Sequence, residues 1–164
     1  MSLFAIDPGT TESAYVVLND DGRVAEKGIL LNDWVLLMLE LTLQPSDRIV
    51  IEMVACYGMP VGAETFETCV WIGRFIQKVY PHPVELLTRN EVKMALCQRV
   101  AGVNDAILRR RLIDLYGPGR ATANGSKLKP GPLYGIKSHM WSALALGVAA
   151  LSRNESERQE VGSE

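Results

Sequence analysis

Over the first third of the chain, apolar residues fall in short blocks divided by turn-forming residues, and beyond that they fall in longer blocks of helical period. SLFAID (2–7) is a short apolar run ending on an acid and followed by the turn signal PGT, which predicts a buried strand with Asp7 at its C-terminal end. SAYVVL (13–18) and RVAEKGIL (23–30) predict two further strands, joined by NDDG (19–22), whose Asn, Asp and Gly tolerate positive φ in a hairpin. Asn32 reads as the N-cap of a helix, DWVLLMLELTL, apolar almost all round and so expected to be largely covered. DRIVIEMV (47–54) predicts a fourth strand with one acid, Glu52, inside its apolar run.

A Gly- and Pro-containing loop then leads into a helix expected from Glu64 to Val79, and HPVELLT predicts a fifth strand starting after Pro83. Two helices follow, RNEVKMALCQRVAG and NDAILRRRLIDLYG, the second capped by Asn104 and stopped by Gly117. Residues 118–136, rich in Gly, Pro and Lys, are expected to form a mobile loop. GIKSHMWSALALGVAAL (135–151) predicts a core helix, and residues 153–164 a polar, flexible tail beyond a domain spanning 1–152. A three-strand antiparallel meander, then strands alternating with helices, defines an α/β domain: a five-stranded mixed sheet with helices on both faces.

Composition adds limits. At 164 residues the chain is one domain by length, with 48% apolar and 22% charged residues. No apolar run reaches the roughly 18 residues of a membrane span, and the N-terminus lacks the basic flank of a signal peptide, so a cytoplasmic location is expected. Cys56, Cys69 and Cys97 lie in apolar segments without a C-x-x-C pair and read as buried reduced thiols. Net charge is −2, yet between Arg89 and Lys137 ten Lys and Arg face three acids. A basic face on an acidic protein and basic residues scattered over a solvated surface both fit that segregation.

Asp7 and Glu52 change the picture. A carboxylate in or at the end of a buried strand must be paired, metal-bound or at the solvent edge. For Asp7 alone an Asx-type turn before Pro8 and Gly9 suffices, and for Glu52 alone an ion pair with an arginine. If the first and fourth strands are parallel neighbours, however, their ends bring the two acids together, and a divalent cation such as Mg²⁺ relieves the repulsion.

AIDPGTTESAYVVL, IVIEMVACYGMPVG and GIKSHMWSALALG, in that order, resemble the RuvC-like Holliday-junction resolvases, particularly phage-type members, within the ribonuclease H-like superfamily. The resemblance runs from Ser2 to about Leu151. It implies a catalytic acid on the first strand, a Glu on the fourth, and a metal-site pair spaced i, i+3 on the first turn of the last helix. Asp7 and Glu52 match the first two, and His139 matches the first of the pair, as a metal ligand or a proton relay. Ser142 stands where an Asp is common. A hydroxyl is a poor substitute for a carboxylate ligand, so waters, phosphate oxygens or another acid such as Asp105 would complete the shell. On its own, His139 reads as a helix-start residue making a capping hydrogen bond.

The implied reaction is hydrolysis of a phosphodiester in branched DNA, especially four-way junctions, to a 5′-phosphate and a 3′-hydroxyl, with two Mg²⁺ ions, or Mn²⁺ in their place. Lys93, Arg109, Arg110, Arg111, Arg120, Lys127, Lys129 and Lys137 are candidate phosphate contacts, although the three consecutive arginines fan around a helix and cannot all face one way. The Tyr57-Gly58-Met59 loop could place a wedge near the branch point, or could simply be packed. Two symmetric nicks imply a C2 homodimer, and Trp71, Ile72 and Phe75 read either as core or as its interface. Two alternatives stay open: a non-cleaving branched-DNA-binding protein of the same fold, and an actin-like or sugar-kinase ATP-binding lobe, in which IDPGTT would cradle phosphates.

Overall fold

The computed structural model describes residues 1–161, with side-chain surroundings through residue 154. Five strands, β1 (Ser2–Asp7), β2 (Glu12–Asn19), β3 (Val24–Leu31), β4 (Arg48–Met53) and β5 (Val84–Thr88), form one sheet in the order β3-β2-β1-β4-β5. The first three are antiparallel neighbours, while β1–β4 and β4–β5 are parallel. The mixed five-stranded sheet expected from the sequence is therefore the one observed.

Helices α1 (Asn32–Thr42) and α2 (Ala63–Val79) cover one face of the sheet. On the other lie α3 (Arg89–Cys97), α4 (Asp105–Tyr116), the short α5 (Arg120–Asn124) and α6 (Met140–Val161). Strand side chains alternate between two cores. Phe4, Ile6, Tyr15, Val17, Ile49 and Ile51 meet Ile72 and Phe75 under α2, and Leu3, Ala5, Val16, Leu18 and Val50 meet the underside of α6. Each fully buried side chain of this size contributes roughly 1.5–3 kcal/mol, so the central strands are held from both sides.

Several expectations are corrected. Asn32 is the first residue of α1 and does not cap it. Its amide is buried instead, accepting from Ser13 Oγ at 2.6 Å and donating to the Gly9 carbonyl at 2.9 Å, and so ties down the loop after Asp7. That loop needs Gly9, where a Cβ would lie 2.4 Å from the Glu12 carbonyl oxygen. α1 is not largely covered: Trp34, Leu37 and Leu41 are exposed. Cys56 is exposed, because it lies in the loop after β4. Cys69 and Cys97 are only half-buried, the latter at the margin of the core under α6. The helix after β5 stops at Cys97, where Gln98 takes a left-handed conformation, well before Gly102. Asn104 caps α4 as expected, accepting from Ile107 N at 3.0 Å.

Residues 118–136 are not structureless. They contain α5 and a turn closed by hydrogen bonds from Gly131 to Asn124 and from Leu133 to Ala123, with Ala123, Leu133 and Ile136 buried as anchors. The last helix starts at Met140, not Gly135, and runs past residue 153, where a polar tail was expected. Residues 162–164 of that tail lie outside the described residues. Among the described residues, no helix is long and apolar enough to cross a membrane.

Candidate active site

Register decides where the two strand acids meet. Ile6 of β1 is level with Ile51 of β4, so the next residues, Asp7 and Glu52, stand at the same height in the sheet. Period-two alternation puts both on the side of Ala5 and Val50, the side covered by α6. α6 begins directly above them. His139 stands just before its first residue, and the carbonyl of His139 accepts the opening helical hydrogen bonds from Ser142 and Ala143. The imidazole does not cap: its Nδ1 lies 3.3 Å from Asp7 Oδ2. Ser142, one turn on, lies near the same carboxylate and helps to offset the rise that burial causes in Asp7. Ser138 is held at φ +46, a left-handed conformation uncommon outside glycine, which turns the chain into the helix at this point.

The geometry also supplies a residue that the sequence pattern does not assign to the site. Arg89 is the first residue of α3, directly after β5, whose Leu87 is level with Glu52. A capping box fixes that junction: Thr88 Oγ1 accepts from Glu91 N while the Glu91 carboxylate accepts from Thr88 N at 2.8 Å. The Arg89 guanidinium thus lies 3.6 Å from Glu52 Oε2 through Nη1 and pairs with Asp105 through Nη2. The signal that could have found it is TRNE, an S/T-x-x-E pattern after an apolar strand.

Burial dominates the electrostatics. It pushes Glu52 up to about 7, helped by the charge of Asp7 and opposed by Arg89. Burial also raises Asp7, against the attraction of His139 and Arg89 and the hydrogen bonds of His139 and Ser142. For Arg89 burial works the other way, but Glu52, Asp105 and Asp7 outweigh it and hold the guanidinium above its ordinary value. Glu52 Oε2 and Arg89 Nη1 are both buried without a hydrogen-bond partner.

Among the described residues no three His, Cys, Asp or Glu side chains already stand close enough to hold an ion. Asp7 is engaged by His139 and Glu52 by Arg89. The donor chemistry nevertheless suits a hard divalent cation: two desolvated carboxylates repel each other, and Glu52 Oε2 is buried with no hydrogen bond, only the ion pair to Arg89. His139 and Ser142 stand over the same carboxylate.

Three clefts open beside this centre. One is lined by Arg89, Asp105, Arg109, His139, Trp141 and Ser142, a second by Asp7, Glu52, Tyr57 and Arg89, and a third by Asp7, the loop after it and His139. Of the proposed DNA contacts, Arg109 and Tyr57 are therefore at the site. The guanidinium of Arg109 stacks on Trp141 at 4.5 Å, and the Tyr57 hydroxyl accepts from Asn90 N at 3.1 Å. Arg111 turns away to the Leu96 carbonyl. Arg110, Arg120, Lys127, Lys129 and Lys137 are exposed and Lys93 is half-buried.

A sheet in this order, with acids at the ends of its first and fourth strands and a helix start above them, is the ribonuclease H-like fold. Among solved structures, the chain is similar to RuvC of Thermus thermophilus, with a TM-score of 0.63 at 19% identity over 95% of this chain and 97% of that one. It is also similar to T. thermophilus RuvC in complex with a Holliday junction substrate, with a TM-score of 0.67 at 15% identity over 95% and 96% of the two chains. No family model and no curated protein matches the sequence.

Proposed function

We propose that this chain is a structure-selective endonuclease of the phage-type, RuvC-like kind. It would hydrolyse phosphodiesters in four-way junctions or related branched DNA, in the cytoplasm, which is the host's if the chain is phage-encoded. The observation that carries this reading is the meeting of Asp7 and Glu52 at one height on the α6 side of the sheet, under His139. The likeness to a RuvC bound to a junction supports the substrate class.

Asp7 and Glu52 would hold Mg²⁺, or Mn²⁺ in its place, with His139 as the third corner. A bound divalent ion supplies an activated water and charge stabilisation for in-line displacement. The chain's own groups do the rest. His139 is mostly exposed and paired with Asp7 through Nδ1, which leaves its other nitrogen either to hold the ion or to relay a proton from the attacking water. Arg109 and Tyr57 line the clefts where the backbone would lie, and the exposed lysines of 127–137 would hold a flanking arm by phosphate contacts.

The test is incubation of the protein with a labelled four-way junction and Mg²⁺ or Mn²⁺. Symmetric nicks are expected, and Asp7→Asn should abolish them while leaving junction binding intact. Binding without cleavage under either ion would replace the enzyme by a junction-binding protein.

The two nicks call for a C2 homodimer. Ile72 and Phe75 lie in the core, and Trp71 packs on Phe75 with Arg74 over its ring, so these three do not form a free apolar face. Phe66 and Val70, one turn apart on α2, and Trp34 and Leu41 on α1 are exposed instead, and form the proposed interface. Phe66→Asp with Val70→Asp should convert a dimer to a monomer in analytical ultracentrifugation without lowering the melting temperature of the protomer. An unchanged dimer would place the interface elsewhere.

A further inference from the structure

One cation sits in the site by covalent necessity. Arg89 occupies the first turn of α3, where the helix dipole disfavours positive charge, and its side chain is only 22% exposed. Burying a guanidinium there is costly, and it is offset by three carboxylates, Glu52, Asp105 and Asp7. A purely structural arginine would be expected to satisfy its donors. Here Nη1 faces Glu52 Oε2 at 3.6 Å, beyond hydrogen-bond reach, and the side chain lines two of the three clefts around the strand acids.

Ser142 points to the same conclusion from the other side. Its hydroxyl is neutral, so it adds no negative charge to the site. The charge that a carboxylate at position 142 would bring, and the affinity for a second divalent ion that would come with it, are both missing.

Building on the function proposed above, we propose that Arg89 is a further catalytic residue: its guanidinium takes the place of a second metal ion, so that the site works with one divalent ion and one fixed organic cation. In the hydrolysis a water oxygen bonds to phosphorus and gives up its proton to a base. The bond from phosphorus to the 3′-oxygen breaks, and that oxygen takes a proton from solvent. Negative charge grows on the 3′-oxygen and the non-bridging oxygens, and the Arg89 guanidinium, which lines two of the clefts beside the acids, would stabilise it.

The test reads ion count and cleavage separately on the full chain. Mn²⁺ is titrated with free ion followed by electron paramagnetic resonance, with and without a non-hydrolysable four-way junction. One ion per protomer is expected. Arg89→Gln should lower the junction cleavage rate by at least roughly 100-fold while leaving junction binding and Mn²⁺ affinity undiminished. Arg89→Lys should keep more activity than Arg89→Gln. Arg89→Gln combined with Ser142→Asp should bind a second Mn²⁺ and recover cleavage. Two ions on the wild type, or full activity in Arg89→Gln, overturns the proposal. If Arg89→Gln does not fold, the wild-type ion count and Arg89→Lys decide, and an Arg89→Lys chain that binds two ions also overturns it. A wild type that cuts no branched DNA refutes the functional reading instead, a result independent of the ion count.

Discussion

Glu52→Gln should produce an inactive protein that is more stable than the wild type at pH 8. Both effects follow from one carboxylate buried without a full set of partners. Glu52 titrates at about 7 in the folded chain against 4.5 for an ordinary glutamate. Between those values the folded state holds a proton that the unfolded state has released. Stability therefore falls as pH rises from about 4.5 to about 7, and stays lower above that. At 1.36 kcal/mol per unit the ionised side chain costs about 3 kcal/mol at pH 8. The neutral amide of the Glu52→Gln variant would remove that cost while Arg89 keeps Asp105.

In metal-free buffer the melting temperature of Glu52→Gln should thus exceed the wild type by roughly 5–10 °C at pH 8 and match it near pH 4.5. Junction cleavage should fall by at least about 10³-fold. A variant of unchanged stability at pH 8 would mean that Arg89 already compensates Glu52 in full. A gain in stability with a loss of activity is the mark of a site that keeps unfavourable charge for its chemistry.

The same tension separates what is legible in the sequence from what is not. Asp7 and Glu52 stand out as acids in apolar strands, and alternation plus a parallel β1–β4 pair is enough to put them together. The sheet order is legible for a similar reason, since a tight hairpin such as that closed by Gly22 at φ +76 permits only antiparallel neighbours. Asn32 misleads because helix caps and buried amides share the same residue types. Only the fold brings Ser13 and Gly9, far away in sequence, onto its amide. The exposure of α1 is hidden for another reason: apolar content cannot distinguish a face packed on the sheet from one left exposed.

Arg89 is the most instructive omission. For Glu52 alone the alternative is an ion pair with an arginine, and such a pair exists alongside the acid cluster. The two readings are not exclusive. An arginine that joins Glu52 to Asp105 across the mouth of a cleft is part of the same centre as Asp7 and His139. Composition counts it as one of ten basic residues between Arg89 and Lys137, and its role depends on the capping box that starts α3 beside the end of β4.

Gly147→Leu should cost the protein both stability and activity, although residue 147 touches no part of the site. α6 crosses β1 and β2 at close range there: a Cβ on Gly147 would lie 2.9 Å from Leu18 Cδ1 and 3.1 Å from Ala5 Cβ. Alanine meets the movable end of Leu18 and, a few tenths of an ångström too close, Ala5 Cβ, and its better helix propensity, about 1 kcal/mol, offsets that mild crowding. Gly147→Ala should therefore be close to neutral. Leucine has no such outlet, because Ala5 and Leu18 are fully buried in the central strands. It must lift the helix from the sheet, at about 1–3 kcal/mol or more. His139 and Ser142 stand at the start of that helix, roughly 12 Å and roughly 8 Å along its axis from Gly147, and Asp7 rides on the strand it leaves. Thermal unfolding should show a drop of roughly 3–10 °C, and cleavage per folded molecule should fall well below the wild type while Gly147→Ala stays near it. Full activity in the folded fraction of Gly147→Leu would show that the site tolerates a displaced α6, and that the helix serves the core alone.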